Sequence, residues 1–168
     1  MTVSQIIAAG VPGAESAALD VAIRFHIPYS GYTTQGSLMA GDRPPGRYRL
    51  EERPFVNPMV LMRANLERAD GLLVFAHGSV PRPIDHLLPL AGEENRPTLH
   101  IDFLKYRPDQ AAFRIDRWVR RHDLSHPMIS GSSLMEDKQI YHRVRDALTC
   151  FFMLDRDAPT AGPGRTMH

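Results

Sequence analysis

Gly10 and Gly13 flank Val11 and Pro12, between an apolar run from Val3 to Ala8 and a helical stretch that starts at Ala14. A strand that hands over to a helix through glycine presents free amides at the positive end of a helix dipole, and these attract anions. Glu15 follows in the first helical turn. A phosphate loop would be expected to offer polar groups here. Pro12 has no amide hydrogen, Val11 has no side-chain donor, and G-x-x-G is weaker than a dinucleotide fingerprint. The two glycines either shape a ligand loop or make a tight turn.

Other chemistry-bearing residues sit in similar places. Ser132 and Ser133 follow Gly131 after an apolar run. They could cradle an oxyanion, or cap the next helix. His77 and Ser79 follow "GLLVFA", where a histidine could bind ligand or move a proton. With eight histidines in the chain, chance placement competes with that reading. Asp102 ends "LHID" and could hold a hydroxyl or cap the following segment. Gly36 and Asp42 lie in a long glycine- and proline-rich stretch, Gly31 to Val56, that has no clear periodicity. Loops of that length in compact domains tend to be functional. No H-E-x-x-H or C-x-x-C metal spacing, G-x-S-x-G elbow or P-loop is present. Arg114, Arg117, Arg120 and Arg121 lie along one helix and read as a solvated face.

The elements that must position these residues alternate along the chain. Strands are expected at Val3–Ala8, Ile27–Tyr29, Gly71–Ala76, Pro97–Asp102 and Pro127–Gly131. Helices are expected over Ala14–His26, after the Asn57-Pro58 cap, from Ile84 to Ala91 with a break at Pro89, over Pro108–His122, and from Ile140 to Phe151. This alternation predicts an α/β fold of three layers, with about five mostly parallel strands flanked by helices. Residues 1–154 should form one domain, and Asp155 to His168 a disordered tail. The ligand edge should lie at the carboxyl ends of the strands.

Composition narrows the class. The chain has 168 residues, 43% hydrophobic and 23% charged, with a formal net charge of +1. That balance gives no global attraction to nucleic acid or an anionic membrane. No apolar run reaches transmembrane length, and no signal peptide is expected. One cysteine, Cys150, excludes an intrachain disulfide and fits the cytoplasm. Self-association into a homo-oligomer is expected from the Met59/Met62/Leu66 face and the long loop.

The order of the pieces resembles the family named "putative molybdenum carrier", a branch of a Rossmann-like superfamily that binds nucleotides and their derivatives. Its opening, I-x-S-G-G-Q-T-G-V-D-R-A-A-L-D-A-A, aligns without a gap to Ile6–Ala22. Its glycine-rich loop and P-x-x-Y-x-L-x-E element correspond to "GYTTQGSLMAGDRPPGRYRLEE", Gly31 to Glu52. Its D-G-T-L-I-L and K-P-x-L-x-I-D correspond to Asp70–Phe75 and Arg96–Asp102. A late G-P-R-E-S…I-Y-x-x-V corresponds loosely to Gly131–Val144. The packing residues match, while the polar ones depart. Gln-Thr is Val11-Pro12, Asp-Arg is Glu15-Ser16, Lys-Gly-Arg-Arg is Gln35–Leu38, Gly-Gly-Thr is replaced by "HGSVPRP", and Pro-Arg-Glu is Ser132–Leu134. Several cations of the expected pocket rim are missing, with Arg43, Arg47 and Arg82 left to compensate.

The resemblance implies a non-catalytic or weakly catalytic binding protein for a nucleotide-like or pterin-like phosphate ligand, its site weakened or retuned. By resemblance alone, the molybdenum cofactor or a nucleotide would be its cofactor. Gly10, Gly13, Glu15, Gly36, Asp42, His77, Ser79, Ser132 and Ser133 are the expected ligand contacts, with no metal-ligating or catalytic residue assigned. An alternative is an enzyme that cleaves a nucleotide or related glycosidic or phosphate bond, using Glu15 or Asp42 as acid or base. It requires two carboxylates, or a carboxylate and His77, in one pocket. A further alternative is a structural oligomer whose pocket is filled by Val11, Leu38 and Met39.

Overall fold

A computed structural model of the chain describes residues 2–35, 47–54 and 57–157. Seven strands and five α-helices are present among them: β1 (Ile6–Ile7), α1 (Ala14–Arg24), β2 (Tyr29–Ser30), β3 (Tyr32–Thr34), β4 (Glu51–Arg53), α2 (Pro58–Arg68), β5 (Leu72–Ala76), α3 (Leu87–Glu93), β6 (Thr98–Asp102), α4 (Pro108–His122), β7 (Met128–Gly131) and α5 (Ile140–Asp157). Five strands form one parallel sheet in the order β2-β1-β7-β5-β6. The α/β architecture expected from the sequence is therefore present.

Burial on both faces explains the unbroken apolar strands. All five residues of β5 are buried. Its Leu73 and Phe75 join a cluster with residues of α1, α4 and α5, including Leu19, Ile115, Val119, Val144, Leu148 and Phe151. Leu72 and Val74 point the other way, into a cluster with Leu66 of α2 and Leu87 and Ala91 of α3. Met59 and Met62, on the α2 face expected to self-associate, are partly buried and pack against this second cluster.

Local chemistry accounts for the helix starts. The Asn57 side chain accepts from the Met59 amide at 2.9 Å, with Pro58 at the first helical position, which is a side-chain N-cap. Pro89 falls in the first turn of the short α3, where its missing amide hydrogen breaks no helical bond. A 3-10 turn, Ile84–His86, leads into that helix.

Three expectations need correction. β1 and β2 are shorter than the apolar runs that announced them, because pairing occurs only at Ile6↔Tyr29 and Ile7↔Ser30 on one side and Ile7↔Met128 on the other. The Gly31 to Val56 segment, a long loop without clear periodicity in the sequence, contains β3 and β4, which pair in parallel from Tyr32↔Glu51 to Thr34↔Arg53. Asp155 to Asp157, expected in a disordered tail, are the last residues of α5. Asp155 is buried in α5 and accepts from the amides of Thr2 and Val3 at 2.9 and 3.1 Å, tying the chain's start to its last helix.

Candidate functional site

Connections from β1 and β5 leave in opposite directions. α1 carries the chain outward to β2 on one face of the sheet, while α3 carries it outward to β6 on the other. β7 lies between. Such a reversal opens a crevice at the carboxyl ends of the flanking strands. A cavity of about 360 Å3 lies there. Ala9, Val11 and Glu15 line it after β1, Ser130, Gly131 and Ser133 at β7, and Arg82, Pro83 and Ile84 after β5. Pro58, Leu61 and Met62 of α2 make an apolar wall, and Thr34 and Glu136 also line the cavity.

The first loop is folded around its own acid. Glu15 is only 7% exposed. Its carboxyl group accepts from the Ala9 amide at 3.3 Å and from the Val11 amide, two donors that an anion would otherwise receive. Burial raises the Glu15 pKa from 4.5 to about 7, against the opposing pull of those two amides. The helix start is equally occupied. Gly13 N donates to Ser16 Oγ at 2.9 Å, Ala14 N to Ser132 O at 3.1 Å, and Ser16 N to Val11 O at 3.1 Å.

The last loop repeats the pattern. Ser133 donates from Oγ to Glu136 Oε1 at 3.1 Å and from its amide to the same oxygen at 3.4 Å. Its carbonyl accepts from Glu136 and Asp137. Ser133 closes a turn with Glu136 and Asp137, and the next helix, α5, begins only at Ile140, so Ser133 caps no helix. The first and last loops are zipped together by a Gly13↔Ser133 bridge and by Leu134 N donating to Pro12 O at 2.9 Å. Gly13 permits this approach. Its φ is 132°, and a Cβ there would lie 2.5 Å from the Ser132 carbonyl oxygen.

Of the expected contacts, the structure brings Glu15 and Ser133 to the cavity. Gly10 packs on Leu50 and Leu19, Gly13 on the last loop, and Ser132 is buried beneath it. Ser79 is exposed. His77 is not part of the cavity lining; its Nδ1 is in hydrogen-bond contact with Asp137 Oδ2. Gly36, Asp42, Leu38, Met39 and Arg43 lie outside the described residues. Asp102 follows its capping alternative: Oδ1 accepts from Gly78 and Leu104 amides at 2.7 and 2.8 Å, and the Gly78 bond first among them lowers its pKa. Of the compensating arginines, Arg82 reaches the cavity rim with its side chain 89% exposed. Arg47 instead pairs with Asp20 at 3.0 Å. That carboxylate also accepts from Tyr48 and Tyr141 hydroxyls, anchoring residues 47–48 to α1 and α5.

Sequence reasoning missed Leu61, Met62 and Thr34 as cavity walls. Met62 belongs to the α2 face read as a self-association surface and also packs against the second core cluster, while Leu61 and Thr34 carry no signal in the sequence. Glu136 could have been found from its position three residues after Ser133, the spacing of a reciprocal cap. No group of three or more His, Cys, Asp or Glu side chains placed to hold a metal ion occurs among the described residues. No helix among them is long and apolar enough to cross a membrane.

A model of the circularly permutated YpsA SLOG family matches residues 6–152. The 1.45 Å crystal structure of a "putative molybdenum carrier protein" from Syntrophus aciditrophicus SB matches at 32% identity with a TM-score of 0.82. That match covers 89% of this chain and 95% of the other, and it bears out the resemblance read from the sequence. No curated protein matches.

Proposed function

The chain belongs to the circularly permutated YpsA SLOG family, and on that premise we propose that it binds, without transforming, a small planar heterocycle of nucleobase-like or pterin-like kind. One observation carries this reading: Glu15 lies on the wall of a mostly apolar cavity and already occupies the loop's amides. A phosphate at this loop would meet Glu15 and Glu136, with Arg82 as the one cation among the described lining residues. A ring with adjacent N–H donors meets the opposite situation. A carboxylate has about four lone-pair sites, so Glu15 can receive such donors while keeping Ala9 and Val11. The volume, about 360 Å3, is at the lower end for ligand sites and suits a ring system more than a whole dinucleotide.

The phosphate part of the expected ligand is therefore dispensable, and recognition moves to the ring edge. A molybdenum oxyanion as cargo fits these residues poorly for the same reason. Calorimetric titration with guanosine, its mono- and triphosphates, pterin and molybdate tests the reading. Guanosine or pterin should bind, added phosphates should not tighten binding, and molybdate should not bind. Affinity that climbs with each phosphate would overturn it.

A second reading has its own support. Two carboxylates, Glu15 and Glu136, line one cavity, and a carboxyl group titrating near 7 is suited to act as a general acid. Under it, Glu15→Gln would abolish turnover of a bound nucleoside while leaving its affinity within a few-fold. The third reading, a pocket filled by Val11, Leu38 and Met39, finds Val11 lining the open cavity and 43% exposed.

A further inference from the structure

We propose that the free edge of β6, flanked by the arginine face of α4, docks an acidic extended peptide that joins the sheet as a sixth strand. β6 ends the strand order. Leu72 N donates to Pro97 O and Phe103 N to Ala76 O. In the parallel register from Leu72↔Thr98 to Ala76↔Asp102, residues 97, 99, 101 and 103 therefore face β5. The amides and carbonyls of Thr98 and His100 face outward, and no described residue pairs with them.

A second cavity, about 380 Å3, lies between α4 and β6, the edge strand, lined by Leu99 of β6 and by Arg114, Arg117, Trp118, Arg121 and His122 of α4. It is separate from the crevice at β1, β7 and β5. The three arginines fall at i, i+3 and i+7, one helix face about 10 Å long. Same-face side chains of a strand repeat about every 6.7 Å, so two or three acidic residues of an added strand would meet this face. Elsewhere on or beside α4, arginines are neutralised: Arg107 by Asp109 and Arg120 by Asp116. Among the described residues Arg114, Arg117 and Arg121 have no ion pair, although Arg114 lies over the Tyr106 ring at 4.3 Å. Three like charges on one cavity raise each other's energy until an anion arrives. Trp118 forms the floor, with its indole Nε1 buried and lacking an acceptor.

The edge decides which polyanion fits. Outward amides and carbonyls are satisfied by another peptide backbone, as in strand addition. Phosphates and nucleic acid could use the arginines but offer no ladder of donors and acceptors. A second copy paired edge to edge about a two-fold axis would set arginine against arginine.

The test titrates the whole chain with a fluorescein-labelled peptide of alternating Glu and Val, read by fluorescence anisotropy at near-physiological salt. The Glu–Val peptide should bind saturably and a Lys–Val peptide should not. Arg117→Glu with Arg121→Glu should weaken binding at least about tenfold, each lost pair being a charge-assisted contact. Thr98→Pro removes an outward amide without touching the β5 ladder and should weaken binding comparably. Should that variant unfold, hydrogen exchange on the wild-type chain replaces it: the Thr98 and His100 amides should slow when peptide is added. Absence of binding, unchanged exchange at those two amides, or equal affinity for single-stranded DNA or inorganic polyphosphate would overturn the proposal.

Discussion

Glu15→Gln converts the central feature of the crevice into a measurement. Two forces act on that carboxyl group. Burial disfavours the charged form, while the Ala9 and Val11 amides favour it, and burial is the larger, lifting the pKa from 4.5 to about 7. At about 1.36 kcal/mol for each tenfold change in proton affinity, ionised Glu15 is roughly 3 kcal/mol worse off in the fold than in the unfolded chain. A raised carboxyl pKa means that the native state holds its proton while the unfolded chain has already released it. The group's contribution is therefore fully present below pH 4.5, lost between 4.5 and about 7, and flat above.

Gln keeps an acceptor for the Ala9 amide and carries no charge. Urea unfolding of wild type and Glu15→Gln across this range cancels every other titrating group in the difference. The variant should gain on wild type by about 3 kcal/mol between pH 4.5 and 8, with the slope against denaturant unchanged. A difference that stays level with pH, or that moves in favour of wild type as pH rises, would refute the reasoning. It would show that the two amides outweigh burial and hold Glu15 as a stable internal anion.

Other expectations follow from particular contacts. Gly13→Ala would place a Cβ 2.5 Å from the Ser132 carbonyl oxygen at a φ of 132°; thermal or urea melts should show a loss of about 3 kcal/mol or more. Asn65 is fully buried and exchanges two hydrogen bonds with Tyr32, Oδ1 accepting at 2.7 Å and Nδ2 donating at 3.0 Å. Asn65→Ala should therefore cost about 2–3 kcal/mol and raise proteolysis around β3. Leu61→Trp should fill the crevice and abolish guanosine or pterin binding in calorimetry while the unfolding midpoint shifts little. Ligand binding below pH 7 should release a proton as N–H donors favour ionised Glu15, seen as a dependence of the titration heat on the buffer's ionisation enthalpy.

The sheet is legible in the sequence because β5 is an unbroken apolar run and because β6 and β7 place Leu99, Ile101, Met128 and Ile129 after Pro97 and Pro127, and the helices because of caps such as Asn57-Pro58. β3 and β4 were not legible. Strands of three residues are too short for a period of two to show, and their pairing joins segments nearly twenty residues apart. The carboxyl-edge loops were found from topology alone. Glu15 was visible as a residue type in the right place, but its role depends on how the Ala9–Val11 backbone curls back toward it. The His77–Asp137 contact joins residues 60 apart in sequence, a distance over which spacing carries no information.

Glu15 alone can be given a purely structural role, since two amides bonded to a carboxylate rigidify a loop at about 1.5–3 kcal/mol each when the group is charged. That role accounts for the loop and leaves the cavity unexplained. A loop brace needs no opening beside it, and an apolar space of about 360 Å3 closed over by packing would bury more surface. The two accounts diverge on the same variant. A brace predicts that Glu15→Gln loosens the loop most where the carboxylate is ionised, above pH 7, and leaves ring binding nearly intact. A recognition group predicts a more stable protein in that range whose binding of guanosine or pterin is lost, because the acceptor that reads two adjacent N–H donors has become half donor itself.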